Sequence, residues 1–223
     1  MSRLFDDASS QYLSRTAAVL TTVPITMACW FNTNDLSTDN QALIALAYSG
    51  NVNDYFLLRI QQTTGTIAAA VNAFGVGQVL AESSAGCSLN TWHHACAVFS
   101  AADARAAYLD GANKGTEGTS RTPTNTVDRT GVGGLVHLIP TQFMSGRIAE
   151  AAVWDVALSD AEIAALGKGF APLLLRPQSR VAYWPLLGND SPELDRWKNQ
   201  YDLTVTGATK AEHSRVYYPI GLM

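Results

Sequence analysis

The sequence has few of the features that mark several large classes of protein. Only three cysteines occur among its 223 residues (Cys29, Cys87 and Cys96), and no two of them form a CxxC pair. An odd number of widely spaced cysteines argues against a disulfide framework and favours thiols that stay reduced. Lys and Arg number 15 against 19 Asp and Glu, without a basic cluster, so we expect neither nucleic acid nor an anionic membrane as a partner.

Long hydrophobic runs are also missing. No apolar run approaches the roughly 20 residues that a membrane-spanning helix needs, and the N-terminal stretch MSRLFDDASSQYL has no apolar core after its single arginine. The sequence therefore predicts neither a transmembrane segment nor a signal peptide. Hydrophobic residues make up 47% of the chain and charged residues 15%, which favours a sizeable core over intrinsic disorder. We expect a soluble protein that folds in a cytoplasm-like compartment.

Short apolar stretches alternate with clusters of Gly, Asn, Asp, Ser and Thr, a pattern typical of many short strands in a sandwich or barrel. Several of these stretches are rich in alanine, which is a poor strand former. Asp110-Gly111 predicts a tight hairpin turn and Gly65 predicts a second, because glycine tolerates a positive φ. Residues 112–134, rich in Gly, Thr, Asn and Pro, are interpreted as a long loop. Nothing marks a domain boundary, so we predict one domain over residues 1–223.

The stretch SDAEIAALGKG predicts one short helix near residues 159–167. Ser159 is placed as its N-cap, and Glu162, three residues later, completes a capping box. Ile163 and Leu166 then share one face of the helix, and Gly167 is placed to end it.

Four phrases occur in a telling order: LFDDASSQYL, ITMACWF, NTWHHACAVF followed by AAYLDGANKG, and GRIAEAAVWDVALSDAEIAAL. In this order they resemble the laminin-G-like family of the concanavalin A-like jelly-roll superfamily. The resemblance implies an all-β fold in which two antiparallel sheets pack face to face as a jelly-roll sandwich. RVAYWPLLGNDSPELDRWKNQYDLTVTG resembles a segment that usually comes first in such domains, so segment 180–207 is expected to complete the sheets in an apparent circular permutation.

Members of this superfamily bind glycans or proteins, sometimes with calcium, and some hydrolyse polysaccharides; the fold alone does not choose among these activities. Its hydrolases typically present Glu-x-Asp-x-x-Glu on one strand, and this sequence has no such run. Glycoside hydrolysis requires two carboxylates that face the same bond. The nearest pair, Glu150 and Asp155, is five residues apart and would point to opposite faces of an uninterrupted strand. We therefore predict a protein that is not an enzyme.

The stretch WHHACAVF gathers residue types that are found in metal sites and in activated nucleophiles. On a strand, however, His93 and His94 point to opposite faces and cannot ligate one metal ion. His94 and Cys96 share a face, but no oxyanion-type glycine motif follows the cysteine. We interpret the stretch as a structural strand with one face in the core.

Calcium is the one cofactor that the resemblance implies. Asp195, Asn199 and Asp202 in DRWKNQYDL match a family phrase, and their side-chain oxygens suit a hard cation. Trp197 and Lys198 replace the small residues that are usual inside this phrase, which adds bulk and a positive charge. The alternative is a polar turn in which the Asp and Asn side chains cap their own backbone.

Aromatic side chains near predicted loops are the candidates for binding a sugar ring, namely Tyr48, Tyr55, Phe74, Trp197 and Tyr201. Other tryptophans sit inside apolar strands and are assigned to the core, namely Trp30, Trp92, Trp154 and Trp184.

Stand-alone domains of this type without an export signal resemble structural proteins of tailed bacteriophages. The leading hypothesis is therefore a virion decoration or attachment protein, assembled in the host cytoplasm and contacting protein partners in a capsid or tail. Surface glycans and a second copy of the chain are further expected partners. The alternative is a carbohydrate-binding, lectin-like module, with calcium assisting the binding.

Overall fold

Two antiparallel sheets account for most of the chain in the computed structural model, which describes residues 1–188 and 191–213. The eight strands of sheet A are β1 (Ser2–Phe5), β3 (Ile25–Thr33), β8 (His93–Ala101), β9 (Ala104–Leu109), β10 (Ala112–Glu117), β12 (Gly146–Trp154), β13 (Arg180–Trp184) and β15 (Thr209–Ala211). They follow the order β10-β9-β8-β3-β12-β1-β15, and β13 pairs with β12.

Sheet B faces sheet A across the core. Its seven strands are β2 (Tyr12–Arg15), β4 (Gln41–Ala47), β5 (Tyr55–Ile60), β6 (Thr66–Ala73), β7 (Gly77–Gly86), β11 (Arg129–Val132) and β14 (Thr204–Thr206). Their order is β14-β2-β11-β4-β5-β6-β7. The predicted all-β jelly-roll sandwich is confirmed.

Strand alternation builds the core between the sheets. On β5, Phe56 and Leu58 point inward, whereas their neighbours point to the outer face of sheet B. Phe56 meets Phe99 of sheet A with ring centroids 5.4 Å apart. Burying a side chain of this size stabilises the fold by about 1.5–3 kcal/mol.

The three cysteines are buried free thiols, as the sequence predicts. Burial raises the pKa of both Cys29 and Cys96. A thiol whose pKa is raised in this way holds little of the reactive thiolate at neutral pH. We therefore assign these cysteines to packing.

The outer face of sheet A is covered by helix α1 (Asp160–Gly167) and a short 3₁₀ helix (Pro172–Leu174). The predicted capping box is confirmed, because Ser159 and Glu162 exchange the expected hydrogen bonds. Gly167 is the last helical residue, and a Cβ there would lie 2.6 Å from the backbone of the turn that follows β9. No helix among the described residues is long and apolar enough to span a membrane.

Both predicted hairpin turns are confirmed, with positive φ at Asp110, Gly111 and Gly65. The predicted loop over 112–134 is wrong at both ends, since β10 and β11 lie within it. In this segment the glycines do not mark a loop; they allow two strands to approach each other closely. A Cβ at Gly115 would lie 1.6 Å from the carbonyl oxygen of Glu82, so β10 of sheet A can close against β7 of sheet B.

The C-terminal segment closes the opposite side of the sandwich. Strand β13 pairs with β12, β14 with β2, and β15 with β1, so the last described strands contribute to both sheets. Arg3 of β1 forms a buried ion pair of 2.8 Å with Glu193 and donates to the carbonyl of Ala208. That this strand order is a circular permutation stays a prediction.

Candidate functional site

The two adjacent histidines lie on opposite faces of β8, as strand alternation predicts. His93 faces Phe31, with ring centroids 5.8 Å apart, and His94 meets Trp30 at 5.6 Å on the outer face of sheet A. His94 is buried, and this burial lowers its pKa to about 4 although the charge of Asp110 opposes the shift. The pair therefore cannot hold one metal ion, and His94 belongs to the packing.

His93 joins two further side chains in the order of an acyl-transfer triad. Its Nδ1 lies 2.8 Å from Asp110 Oδ2, and its Nε2 lies 2.9 Å from Ser88 Oγ. The sequence reasoning missed Ser88, which comes five residues before the histidine. Burial alone would raise the pKa of Asp110, but hydrogen bonds from His93 and from the N–H of His94 outweigh it and hold the pKa below its usual range.

The surroundings of this chain favour a structural role. The backbone N–H of Ser88 donates to the same His93 Nε2, at 3.1 Å, so it is directed at the imidazole rather than at a developing oxyanion. Asp110 also accepts the N–H of His94, at 2.9 Å. These contacts fasten the start of β8 to the β9–β10 turn, which gives a physical reason for the Trp-His-His and Leu-Asp-Gly phrases to occur together.

The two carboxylates considered for glycoside hydrolysis lie in different surroundings. Glu150 is buried at a bulge of β12 with a φ of 55°, and the hydroxyl of Tyr183 donates to its Oε2. Asp155 is exposed at the end of the same strand. A buried acid and an exposed one do not flank a common bond in the way that hydrolysis requires. That the chain is not an enzyme stays a prediction.

The candidate calcium ligands form a turn that is closed by its own backbone. Asp195 is fully buried, and its two oxygens accept four backbone N–H groups at 3.0–3.4 Å, those of Tyr183, Trp197, Lys198 and Gln200. Asp202 Oδ1 accepts the N–H of Asp195 at 2.9 Å, and Asn199 is exposed with a φ of 54°. This geometry matches the alternative of capped Asx turns. In residues 1–188 and 191–213, no three His, Cys, Asp or Glu side chains are grouped to hold a metal ion, and calcium binding stays a prediction.

Two of the five candidate aromatic side chains pack within the fold. Trp197 lies against the outer face of sheet A, with the Arg180 guanidinium 4.0 Å from its ring centroid. Tyr201 packs on the core between the sheets, and Arg15 lies 4.9 Å over its ring. Trp197 replaces a residue that is usually small in the family phrase linked to calcium, and its large ring packs against Arg180.

The core assignment of the tryptophans holds for two of the four. Trp154 and Trp184 are fully buried. Trp30 and Trp92 are only half-buried, so the prediction is wrong for them. They lie beyond the part of sheet A that α1 covers, and the ring of His213 contacts both, at 4.4 Å from Trp92.

The other three candidate aromatic residues meet at one end of sheet B, where Tyr55 is buried, Tyr48 is half-buried and Phe74 is exposed. Strand β4 ends just before Tyr48, β5 begins at Tyr55, and β6 ends just before Phe74. The register pairs Ala47 with Tyr55 and Tyr55 with Asn72, so all three aromatic residues lie at the same end of these strands. Sequence position alone had left them scattered over 27 residues.

Asp54 links the loops at this end of sheet B through hydrogen bonds. It is fully buried, its Oδ1 accepts the N–H groups of Phe74 and Thr124, and its Oδ2 accepts the side-chain amides of Asn51 and Asn125. Burial alone would raise the pKa of Asp54, but these four hydrogen bonds lower it below its usual range. The carboxylate therefore stays ionised at neutral pH and holds three loops in place.

A continuous chain of hydrogen-bonded side chains runs from this end of sheet B across its outer face. We call it the polar row, and its members in bonded order are Asn53, Asn72, Tyr55, Gln78, Arg59, Gln61, Glu82 and Thr66. The donor–acceptor distances along it run from 2.6 to 3.5 Å. Arg59 is buried, and burial lowers its pKa, while its guanidinium donates to the amide oxygens of Gln61, Gln78 and Gln142.

The sequence reasoning missed the polar row, although a signal for it is present. Tyr55 and Arg59 lie on one face of β5 with Gln61 just after it, and Gln78 and Glu82 lie on one face of β7, although a leucine interrupts each series. Such period-two polarity marks the solvent-facing side of a strand.

Small apolar side chains surround the polar row. Ala45, Ala70 and Leu57 point to the same outer face, where Leu135 packs on them. A Cβ at Gly131 would lie 2.7 Å from the carbonyl oxygen of Gly134, so the segment that carries Leu135 passes directly over β11. The alanines that weakened the strand prediction therefore leave room for this segment beside the row.

Large apolar side chains are exposed around the Tyr55 end of the row. We call them the apolar rim, and they are Val52, Phe74, Val76, Leu138 and Ile139. The loops that carry them are bonded to one another, since Leu138 N–H donates to the Asn51 carbonyl and Phe74 N–H donates to Asp54. Five of the nine exposed large hydrophobic side chains of the described residues thus gather at one place. Such a concentration marks an interaction site.

A groove of about 400 Å³ lies on sheet A, beside the start of α1. Some of its polar side chains are paired with each other, since the Tyr108 hydroxyl donates to Asp160 at 2.7 Å and Lys114 Nζ lies 2.9 Å from the same carboxylate, whereas Nε and Nη1 of Arg105 are buried there without a partner. What distinguishes the polar row is the apolar rim at its Tyr55 end, because none of the nine exposed large hydrophobic side chains of the described residues lines the groove. Ligand sites combine apolar lining with a few placed polar groups, so the outer face of sheet B is the better candidate.

Comparison with known proteins agrees with this architecture. The search of curated proteins gave no match. The heptameric SAP-like pentraxin of Limulus polyphemus is 14% identical over 91% of this chain and 89% of its own, with a TM-score of 0.62. Domain 4 of AbnA, an extracellular arabinanase of Geobacillus stearothermophilus solved with arabinotriose, is 13% identical over 74% of this chain and 81% of its own, with a TM-score of 0.59.

The CBM40 domain of the Ruminococcus gnavus IT-sialidase, bound to α2,3-sialyllactose, is 14% identical over 75% of this chain and 98% of its own, with a TM-score of 0.55. At these identities the likeness concerns the fold alone. A family model described as the concanavalin A-like lectin/glucanases superfamily, of the laminin-G type, matches residues 7–164, well over half of the chain. The chain therefore belongs to the concanavalin A-like lectin/glucanase superfamily, in its laminin-G-like branch.

Proposed function

We propose that this chain is a carbohydrate-binding module and that its glycan lies on the outer face of sheet B. The observation that carries the proposal is the polar row with the apolar rim at one end. Sugars present hydroxyl groups around the ring edge and C–H groups on its faces. Amide and phenol groups match the hydroxyls, and exposed aromatic and aliphatic side chains match the C–H faces.

The geometry of the row suits this task because its side chains hold one another. Tyr55 Oη accepts from Gln78 at 2.6 Å and from Asn72 at 3.3 Å, and Arg59 fixes the oxygen of Gln78. Groups that are already ordered lose little conformational entropy when a ligand binds. Two of the related folds, from the arabinanase and the sialidase, were solved with sugars, which supports the proposal by analogy.

The virion hypothesis finds no support in the family match or in these related structures, none of which is described as a virion protein. It stays a prediction, and so do capsid or tail partners and a homo-oligomeric state. The pentraxin relative is heptameric, which is a property of that protein. A glycan-binding module could itself be part of a particle, so glycan binding is the more general proposal.

A glycan array probed with the purified protein tests the proposal, followed by titration of the tightest-binding glycan. Two exposed phenylalanines offer a matched pair: Phe74 is 53% exposed in the apolar rim, and Phe170 is 45% exposed just after α1. We expect Phe74→Ala to weaken binding about tenfold, the loss of roughly 1.4 kcal/mol of contact energy. Phe170→Ala is expected to leave the affinity unchanged.

Absence of binding to every glycan on the array would overturn the proposal, and so would equal effects of the two phenylalanine substitutions. The non-enzymatic expectation has its own assay, the release of reducing sugar from a panel of polysaccharides. Release that disappears in Glu150→Gln would show that the chain is a hydrolase.

A further inference from the structure

We infer that the Tyr55 end of the polar row is the primary subsite for the glycan and takes an uncharged sugar unit through its hydroxyl groups. This inference rests on the proposed function and names the ligand class of the same surface.

Two buried polar groups beside Tyr55 have atoms without a protein partner. Asn72 is 9% exposed and its Oδ1 accepts no hydrogen bond, while its Nδ2 donates to Tyr55 Oη and Asn53. If the amide is turned over, the nitrogen is left without a partner in its place. His137 is 4% exposed, its ring lies 6.5 Å from the Tyr55 ring, and its Nδ1 has no partner of good geometry among the described residues, although a backbone hydrogen bond with Ile139 acts against the burial that lowers its pKa. Leaving such a group unsatisfied destabilises the fold, and a bound ligand that pairs with it recovers this loss.

The two groups are held in fixed positions just below the surface at the Tyr55 end of the row. Asn72 is fixed by its strand register opposite Tyr55 and Gln78. His137 sits in a loop closed by paired hydrogen bonds between Leu135 and Thr141, of 2.9 and 3.1 Å. Phe74 and Leu138 of the apolar rim border the same position. A sugar here would meet polar atoms at its edge and apolar side chains around it.

The chemistry of these groups points to hydroxyls. A hydroxyl can both donate and accept, so it satisfies a free amide oxygen, a free amide nitrogen or an imidazole nitrogen. A carboxylate can only accept. Carboxylates outnumber cations at this end of sheet B, because Asp54 lies under the Phe74 loop and Asp128 holds Ser49 beside Tyr48, while Arg129, opposite Ala47, adds one cation. An acidic sugar would be repelled by both carboxylates.

Arg59 does not reverse this conclusion. It is the cation of the polar row, but it lies towards the far end, and three glutamine oxygens already surround its guanidinium. Gln61 connects it to Glu82, whose negative charge offsets it. The row as a whole therefore presents amides and a phenol with little net charge.

Binding to matched neutral and acidic glycans tests the ligand class. Lactose against α2,3-sialyllactose, which differ by one acidic residue, and arabinotriose as a second neutral sugar belong on the array. We expect the tightest-binding glycans to be neutral and their affinity to be insensitive to salt. Binding to acidic glycans alone would overturn this inference and leave the proposed function standing, whereas no binding at all would overturn both.

Titration of the tightest neutral glycan then tests the subsite. We expect Asn72→Ala and His137→Phe each to weaken binding about tenfold, the loss of one satisfied hydrogen bond. Asn32→Ala, at a half-buried position on β3 of sheet A, is the control and should keep the wild-type affinity. Thermal unfolding of each variant verifies that it folds.

Wild-type affinity in both Asn72→Ala and His137→Phe would overturn the subsite, because a bound water alone would then account for the unpartnered atoms. Array binding that Phe74→Ala weakens while these two variants do not would keep the proposed function and place the primary subsite elsewhere on sheet B.

Discussion

The two outer faces of this sandwich arise from the same strand alternation, but they differ in their side chains and in how far other segments cover them. On sheet A the outward positions hold large apolar side chains such as Trp154 and Tyr183, and α1 with its flanking segments covers them. On sheet B the outward positions hold alanines and the polar row, and within the described residues the loop around Leu135 covers part of the face. Side-chain size, rather than backbone geometry, thus decides which face becomes core and which can meet a ligand.

This contrast gives the chain two kinds of residue that can be told apart by experiment. Substitutions on the outer face of sheet A should lower the free energy of unfolding and leave glycan affinity alone. Substitutions in the apolar rim, whose side chains are exposed, should do the reverse, and substitutions at buried members of the polar row such as Arg59 and Asn72 should lower both the affinity and the stability.

The largest effect is expected at Trp154, which is fully buried and donates from Nε1 to the Leu175 carbonyl at 3.0 Å. Trp154→Ala should lower the free energy of unfolding by about 3–5 kcal/mol, through the cavity it leaves and the lost hydrogen bond. Urea denaturation measures the loss. A value near zero would mean that α1 and sheet A do not form one packed layer.

Acid should destabilise the same face next, through His94. Its pKa is about 4 in the folded chain against about 6.5 when unfolded, so the unfolded state binds the proton first. This difference in pKa adds roughly 3 kcal/mol to the free energy of unfolding. The added stability is complete above pH 6.5 and is lost as the pH falls towards 4. The free energy of unfolding, measured by urea denaturation between pH 7 and pH 4.5, should fall less steeply with decreasing pH in His94→Phe than in the wild type. An equal slope in both proteins would contradict the burial of His94.

Asp54 comes third and probes sheet B. Asp54→Ala removes an acceptor from four hydrogen bonds and should lower the free energy of unfolding by about 1–3 kcal/mol. It should also weaken glycan binding, because the loops at Phe74 and Asn51 lose their common anchor. Asp155→Ala, at an exposed position, is the control for both measurements. Loss of stability without any loss of affinity would separate Asp54 from the binding surface.

Calcium should have the smallest effect. Both oxygens of Asp195 accept backbone N–H groups, so the turn has little left with which to bind a cation. If the turn bound calcium, a free calcium concentration of 100 times the Kd would raise the free energy of unfolding by about 2.7 kcal/mol. We expect instead no difference in Tm between calcium and EDTA. A calcium-dependent rise in Tm that Asp202→Ala abolishes would establish the site instead.

Short-range patterns were sufficient for the capping box of α1 and both hairpin turns, whereas the two-sheet sandwich was predicted from the resemblance to the laminin-G-like family. Short-range patterns were insufficient where distant segments meet. The Gly115 contact with Glu82 joins edge strands of different sheets, so glycine there looked like a loop signal. The polar row needs the register of β5, β6 and β7, which no local pattern contains, and only Tyr55 of its members was among the predicted residues.

Chemical-shift mapping of the backbone amides, during titration with the tightest-binding glycan of the array, tests the central claim most directly. The account predicts that the perturbed amides cluster in β5, β6, β7 and the loops that carry Asp54, Phe74 and His137. Perturbations confined to α1 and the groove beside it on sheet A would contradict the account, because the ligand would then lie on the face that the structure assigns to packing.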